Sequence, residues 1–108
     1  MRVIVGEAVL RSLHRHVQVP TFWSIGTTAQ SIVFADYDPT PVTSLQLWNR
    51  GSTDLYINFN GVTATGNSPT STDMHLAGGE EWAGSVAVTS ISVIAPQGNG
   101  NLEVQAWG

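Results

Sequence analysis

The stretch Leu45-Gln46-Leu47-Trp48-Asn49-Arg50-Gly51-Ser52-Thr53-Asp54-Leu55-Tyr56-Ile57-Asn58-Phe59 consists of two period-two segments joined through a polar, glycine-containing turn. Leu45 and Leu47 alternate with Gln46 and Trp48, and Leu55, Ile57 and Phe59 alternate with Tyr56 and Asn58, as strands buried on one face do. Working outward, the same spacing recurs at Val86 and Val88, at Ile91, Val93 and Ala95, and at Leu102, Val104 and Ala106. The segments are short and separated by Gly, Asn, Ser and Thr, so the chain predicts an all-β fold: an antiparallel β-sandwich or jelly roll of about eight short strands.

Parity suggests specific pairings. Leu47 opposite Leu55 and Leu45 opposite Ile57 would form a hairpin around Gly51, with Gln46, Trp48, Asp54, Tyr56 and Asn58 on its other face. Ala95 opposite Leu102, Val93 opposite Val104 and Ile91 opposite Ala106 would form a second hairpin around the turn-forming run Pro96 to Asn101. Parity breaks between Val88 and Ile91, which makes Thr89-Ser90 either a tight turn or a bulge. Ser31 to Ala35 is expected to be another strand, followed by a proline-marked loop from Asp36 to Pro41.

At 108 residues, 42% of them hydrophobic, the chain has the size and apolar content of a single domain with its own core. Only 11% of residues are charged, against ~25% in an average soluble domain, so neutral polar side chains carry much of the surface. The formal net charge is −4, and all four basic residues are arginines. A nucleic-acid partner would call for a basic field that this composition lacks. The absence of cysteine excludes disulfides, thiolate nucleophiles and cysteine metal sites. Residues Met1 to Leu10 are interrupted by Glu7 and followed by Arg11, too short and polar for a signal core, and no run approaches the ~18 to 20 apolar residues of a membrane-spanning helix. The expected partners therefore include neither nucleic acid nor membrane.

Residues 1–19 differ from the remainder. They hold three of the four arginines and two of the three histidines, among Val3, Val5, Val9, Leu10, Leu13, Val17 and Val19. Val3 and Val5 alternate as a strand would, whereas Glu7 to His14 also fits a short helix, and Pro20 limits either element. We read residues 1–19 as an N-terminal arm or first strand, and residues 20–108 as the sandwich domain. Val3, Val5, Val9, Leu10 and Leu13 are its candidate partner-binding residues.

The search for chemistry returns surface features. His14 and His16 would share one face of a strand, but a metal needs a further ligand such as His75, and accidental His-x-His spacing is common. Glu80-Glu81 and the Asp36/Asp38 pair lie in turn-like sequence, where solvated turns are expected rather than a glycosidase pair. There is no Gly-x-Ser-x-Gly, and Gly78-Gly79 lacks the lysine of a phosphate loop. The Thr63 to Asp73 segment has the composition of a flexible loop. No catalytic residue, metal site or cofactor is predicted, and the chain reads as non-enzymatic.

The aromatic residues attract more interest. There are four tryptophans. The inferred register puts Trp48 near Tyr56 on the face away from the leucines, and Trp107 outside the second hairpin. Aromatics among Asn, Gln and Asp suit a protein interface, a sugar-stacking platform, or cover by another part of the chain. Trp48, Tyr56 and Trp107 complete the candidate partner-binding set.

The runs Leu47 to Gly61, Leu76 to Trp82, Ile91 to Ala95 and Leu102 to Val104 resemble small β-sandwich virion structural proteins of tailed bacteriophages. The resemblance covers Ser44 to Gly108 and lies in spacing rather than in a signature. It implies a capsid decoration, cement or head-fibre protein that binds the major capsid protein, stabilises the head and forms a homo-oligomer, with a trimer favoured. Its location would be the capsid surface of the virion, after assembly in the host cytoplasm. The alternatives are a carbohydrate-binding module using Trp48 and Tyr56 on a glycan, or a tail or baseplate component.

Overall fold

The computed structural model describes residues 15–66 and 72–108. The expected arm residues Val3, Val5, Val9, Leu10 and Leu13 lie outside the described residues, as does His14. Among the described residues there are eight strands: β1 (Phe22–Ile25), β2 (Gln30–Val33), β3 (Val42–Asn49), β4 (Leu55–Phe59), β5 (Met74–Leu76), β6 (Glu81–Val88), β7 (Ser90–Ile94) and β8 (Gly100–Trp107). A 3-10 turn at Phe34–Asp36 follows β2, where extended structure was expected to continue to Ala35. Phe34 tucks into the core there and Asp38 N–H bonds back to its carbonyl at 3.0 Å.

The strands form two antiparallel four-stranded sheets, a first sheet in the order β1-β8-β3-β6 and a second in the order β2-β7-β4-β5. Pairs nest: β4 bonds β5, β3 bonds β6, β2 bonds β7 and β1 bonds β8. A ribbon folded once at the β4–β5 connection and then rolled up produces this arrangement, the jelly roll. Ahead of β1, Arg15 and Val17 continue the sheet beside the end of β8, through Arg15 N–H to Gly108 C=O and Val17 N–H to Ala106 C=O, each at 2.8 Å. Val17 and Val19 consequently belong to the core.

The alternation seen in sequence defines that core. Leu45, Leu47, Leu102, Val104 and Ala106 of the first sheet meet Leu55, Ile57, Ile91, Val93 and Ala95 around the second, each at most 1% exposed. Burial of such a Leu or Ile side chain is worth roughly 1.5–3 kcal/mol. Sheet-to-sheet packing of this kind uses every inward position of both strands.

Both expected hairpins are corrected. β3 and β4 belong to different sheets, as do β7 and β8, so the connections at Arg50–Asp54 and Ala95–Asn99 are arches across the sandwich. Leu45 pairs laterally with Gly84 and Ala106, and Leu47 with Trp82 and Val104. A hairpin and an arch obey the same binary pattern, because both send alternate residues to one interior. They differ in where the peptide groups bond. At the first arch Asn49, 0% exposed, supplies the bonds that a hairpin ladder would have made. Its amide donates to Thr53 C=O and Leu76 C=O, both at 2.8 Å, and its oxygen accepts Gly51 N–H at 3.0 Å. At the second arch Gly100 permits close approach, since a Cβ there would lie 2.8 Å from Leu55 Cδ2 and 2.9 Å from Ala95 Cβ. The parity break after Val88 is likewise a change of sheet: Thr89 carries the chain from β6 to β7, its N–H bonded to the Asn60 side chain at 2.8 Å. β1 and β5, unforeseen in sequence, occupy sheet edges.

Candidate binding face

The outward residues of the first sheet form a continuous face four strands wide. Strand register aligns Phe22 with Glu103, Glu103 with Trp48, and Trp48 with Glu81 in one row. The next row holds Gln105, Gln46 and Ala83, and the third holds Trp107, Ser44 and Ser85, with His16 bridged to Trp107. Cross-strand neighbours on one face are close enough to interact, and here they do.

At one end of the face the Arg50 guanidinium carbon lies 3.5 Å from the centre of the Trp48 ring, a cation–π contact. The same guanidinium is fixed by Glu103, with Nε and Nη2 each 2.9 Å from Oε1. Next to it the Gln46 amide donates to the Glu81 carboxylate. At the other end His16 Nε2 donates to Gln105 Oε1 at 3.0 Å, Gln18 donates to His16 Nδ1 at 3.4 Å, and the His16 and Trp107 rings sit 5.8 Å apart. These lateral bonds hold the side chains in fixed orientations, which lowers the entropy lost when a partner binds. Phe22, 72% exposed, stands unshielded at the β1 border. Beside it a shallow depression of about 500 Å³ opens between Phe22, Trp23, Ser24 and Arg50.

Trp48 and Trp107 thus share one face, but Tyr56 does not. Tyr56 projects from β4 on the outer side of the second sheet, stacked on His75 with ring centres 4.9 Å apart. His75 in turn contacts Asp54 at 3.0 Å. The expected proximity of Trp48 to Tyr56 fails for the same reason as the hairpin: alternate residues of strands in opposed sheets point outward in opposite directions. The conceivable metal set separates in the same way, with His16 on the first sheet's face and His75 on the second's. Among the described residues no group of three or more His, Asp or Glu side chains is placed to hold a metal ion.

The carboxylate pairs also resolve. Glu80 closes the β5–β6 turn by accepting Ala77 N–H at 2.6 Å. Asp38 is no solvated turn residue; it is 4% exposed and clamps the incoming chain to the loop before β3. Its carboxylate accepts Gln18 N–H and Thr40 N–H, each at 2.9 Å, with Arg15 3.8 Å away. The Gln18 and Thr40 hydrogen bonds, assisted by Arg15 and opposed by burial, lower its pKa from 3.8 to about 2.

The middle of the second sheet's outer face, around Asn58 and Ser92, is covered by its own chain, while Ser31, Val33 and His75 toward its borders are exposed. The Thr63–Asp73 segment, expected as a flexible loop, folds back in its described part. Ala64 is buried with its N–H on Ser92 Oγ at 2.9 Å, and Asp73 accepts Thr65 N–H at 2.8 Å and Gly66 N–H at 2.9 Å. Asn58, 8% exposed, donates to Thr72 Oγ1 and Asp73 Oδ1. Burial pushes the Asp73 pKa up, but the bonds from Asn58, Gly66 and Thr65 outweigh it and leave the carboxyl below its ordinary value.

Phe22, Arg50, Glu103 and His16 were missed as members of the face. A signal existed for Phe22, because Trp23 and Ile25 are separated by one residue and an inward pair implies an outward Phe22. Arg50 lies in sequence that reads only as a turn. Comparison with protein-family models, with curated proteins and with solved structures found no match.

Proposed function

We propose that the chain is a non-enzymatic structural protein of a bacteriophage virion, one that decorates the capsid by laying the outer face of its first sheet on the major capsid protein. The observation carrying this reading is the first sheet's outer face, which presents Phe22, Trp48, Arg50 and Trp107 on a rigid, laterally bonded surface, whereas the middle of the second sheet's outer face, at Asn58 and Ser92, lies under the chain's own loop. Trp, Tyr and Arg dominate the energetics of protein interfaces, and pre-ordered side chains reduce the cost of association. The jelly roll is a frequent architecture of viral capsid domains, and the resemblance of Ser44 to Gly108 to small virion proteins points the same way.

Trp48 and Tyr56 cannot form one stacking platform from opposite sides of a sandwich, so the glycan reading built on them is not carried further. The test is to purify intact particles, quantify the protein on heads and tails separately, and repeat with a Trp48→Ala/Trp107→Ala variant. Decoration predicts the protein on heads, with occupancy reduced at least tenfold in the variant. Recovery on tails alone would favour the baseplate alternative, and absence from particles would end the virion reading.

A further inference from the structure

The edges of the two sheets differ in length. β1, β2 and β5 are edge strands of four, four and three residues, whereas β6 runs for eight. Short edges offer little to an incoming strand, but a long one is usually guarded by charge, proline or a bulge. From Trp82 to Val88 the sequence has neither charge nor proline. The one irregularity of β6, a register shift between its pairings with Ser44 and Val42, falls beyond Ser85 and leaves Glu81 to Ser85 regular.

The open side of this segment is ready to pair. Asn49 N–H bonds Glu80 C=O at 2.8 Å. By antiparallel alternation, Trp82 and Gly84 then aim their peptide groups at β3, while Glu81, Ala83 and Ser85 aim theirs outward. Among the described residues no strand pairs with that side. The apolar layer behind it is also incomplete. Because β5 is so short, Trp82, Val86, Phe59 and Met74 are only partly buried, with the Trp82 ring 5.9 Å from Phe59 and lying over Gly84.

We propose that this edge binds a second copy of the chain, β6 to β6, antiparallel about a twofold axis at Ala83. The sequence is self-complementary in that register. Ala83 meets Ala83 of the other copy, Glu81 meets Ser85, and Trp82 meets Gly84, so no like charges oppose and the pair at the axis is small. Glu81, Ala83 and Ser85 of each copy supply the inter-strand peptide bonds. In this register the two β6 strands overlap from Glu81 to Ser85, about 17 Å, and a sandwich edge is about 20 Å deep including side chains. Their product is about 340 Å² per copy, or about 700 Å² in all, below the size of stable specific interfaces and in the range of weak, transient contacts. The pairing is thus a weak dimer, and it stands independently of the virion reading.

The test is sedimentation velocity on the full chain between about 1 and about 100 µM, the weak end of the affinity range for interfaces. The wild type is expected to pass from monomer to dimer across that range. Ala83→Lys, at an exposed position, should weaken dimerisation at least tenfold without moving the thermal midpoint of the monomer, while Ser31→Lys on the β2 edge should leave dimerisation intact. In a chain without native cysteine, Ala83→Cys should be joined to its copy by a short bismaleimide and Ser31→Cys should not. A monomer throughout, a trimer, or an Ala83→Lys variant that dimerises like wild type would overturn the proposal.

Discussion

The two outer faces of this jelly roll are built from similar residues and differ in the fate of the polar groups at their centres. Each carries Ser, Asn or Gln at its centre, with aromatic rings at both ends of the first and Tyr56 toward one end of the second. On the second sheet, Asn58 and Ser92 are buried because a loop descends on them and uses their side chains as its partners. On the first sheet, Gln46 and Gln105 remain half-buried and bond sideways to Glu81 and His16. An outward polar position is therefore not the same as an exposed one. The central polar groups of one face are committed to the fold, and those of the other are organised but available.

The strongest way to break this comparison is at the arch that separates the faces. Asn49→Ala leaves the Thr53 and Leu76 carbonyls and the Gly51 N–H without their partner in a buried site, and is expected to cost about 3 kcal/mol by urea unfolding. Asp73→Ala should cost about 2 kcal/mol, since it removes the acceptor for Thr65, Gly66 and Asn58. Hydrogen exchange in that variant should rise at Ala64 and Gly66, while Gln46 and Gln105 stay protected.

Acid sharpens the same contrast. Asp38 and Asp73 have folded pKa values below their ordinary 3.8, so the unfolded chain binds their protons more tightly. The stability each contributes is complete above 3.8 and is lost as the folded carboxylate protonates, towards about 2 for Asp38. Melting temperature followed downward from pH 5 should fall through this window, and Asp38→Asn should flatten part of the slope. The smallest effect is expected on the open face. Trp48→Ala removes a cation–π contact at a partly exposed site and should cost about 1 kcal/mol or less in stability. A larger loss would mean that Trp48 serves the fold as Asn58 does.

Sequence pattern conveyed which residues turn inward, because alternation reports parity, and parity is preserved whether a connection is a hairpin or an arch. Leu45, Leu47, Leu55 and Ile57 were all placed in one interior on that basis, and all are there. Pairing was illegible for the same reason. The information that distinguishes the two lies in contacts such as Asn49 with Leu76, distant in sequence, and no local pattern encodes them. Asp38 makes the same point. Beside Pro39 it looks like an ordinary loop residue, and only the return of Gln18 to its carboxylate makes it a clamp. On the candidate face, Trp48 and Trp107 were recognisable as outward aromatics, whereas the Arg50 to Glu103 bond requires β8 to lie beside β3.

The nested order of the strands also bears on how the chain reaches this state. Among the described strands only β4 and β5 pair with a neighbour in sequence, and the other ladders close longer loops. Such non-local topologies fold in roughly milliseconds to seconds, since closure entropy is lost before contacts compensate it. The β4–β5 pair, with Asn58 already in reach of Thr72 and Asp73, is the natural nucleus, and the β1–β8 ladder is the natural last step. A late intermediate would then expose the β8 border of the first sheet while β6 is already formed, so the molecule would have two adhesive edges during folding and one afterwards.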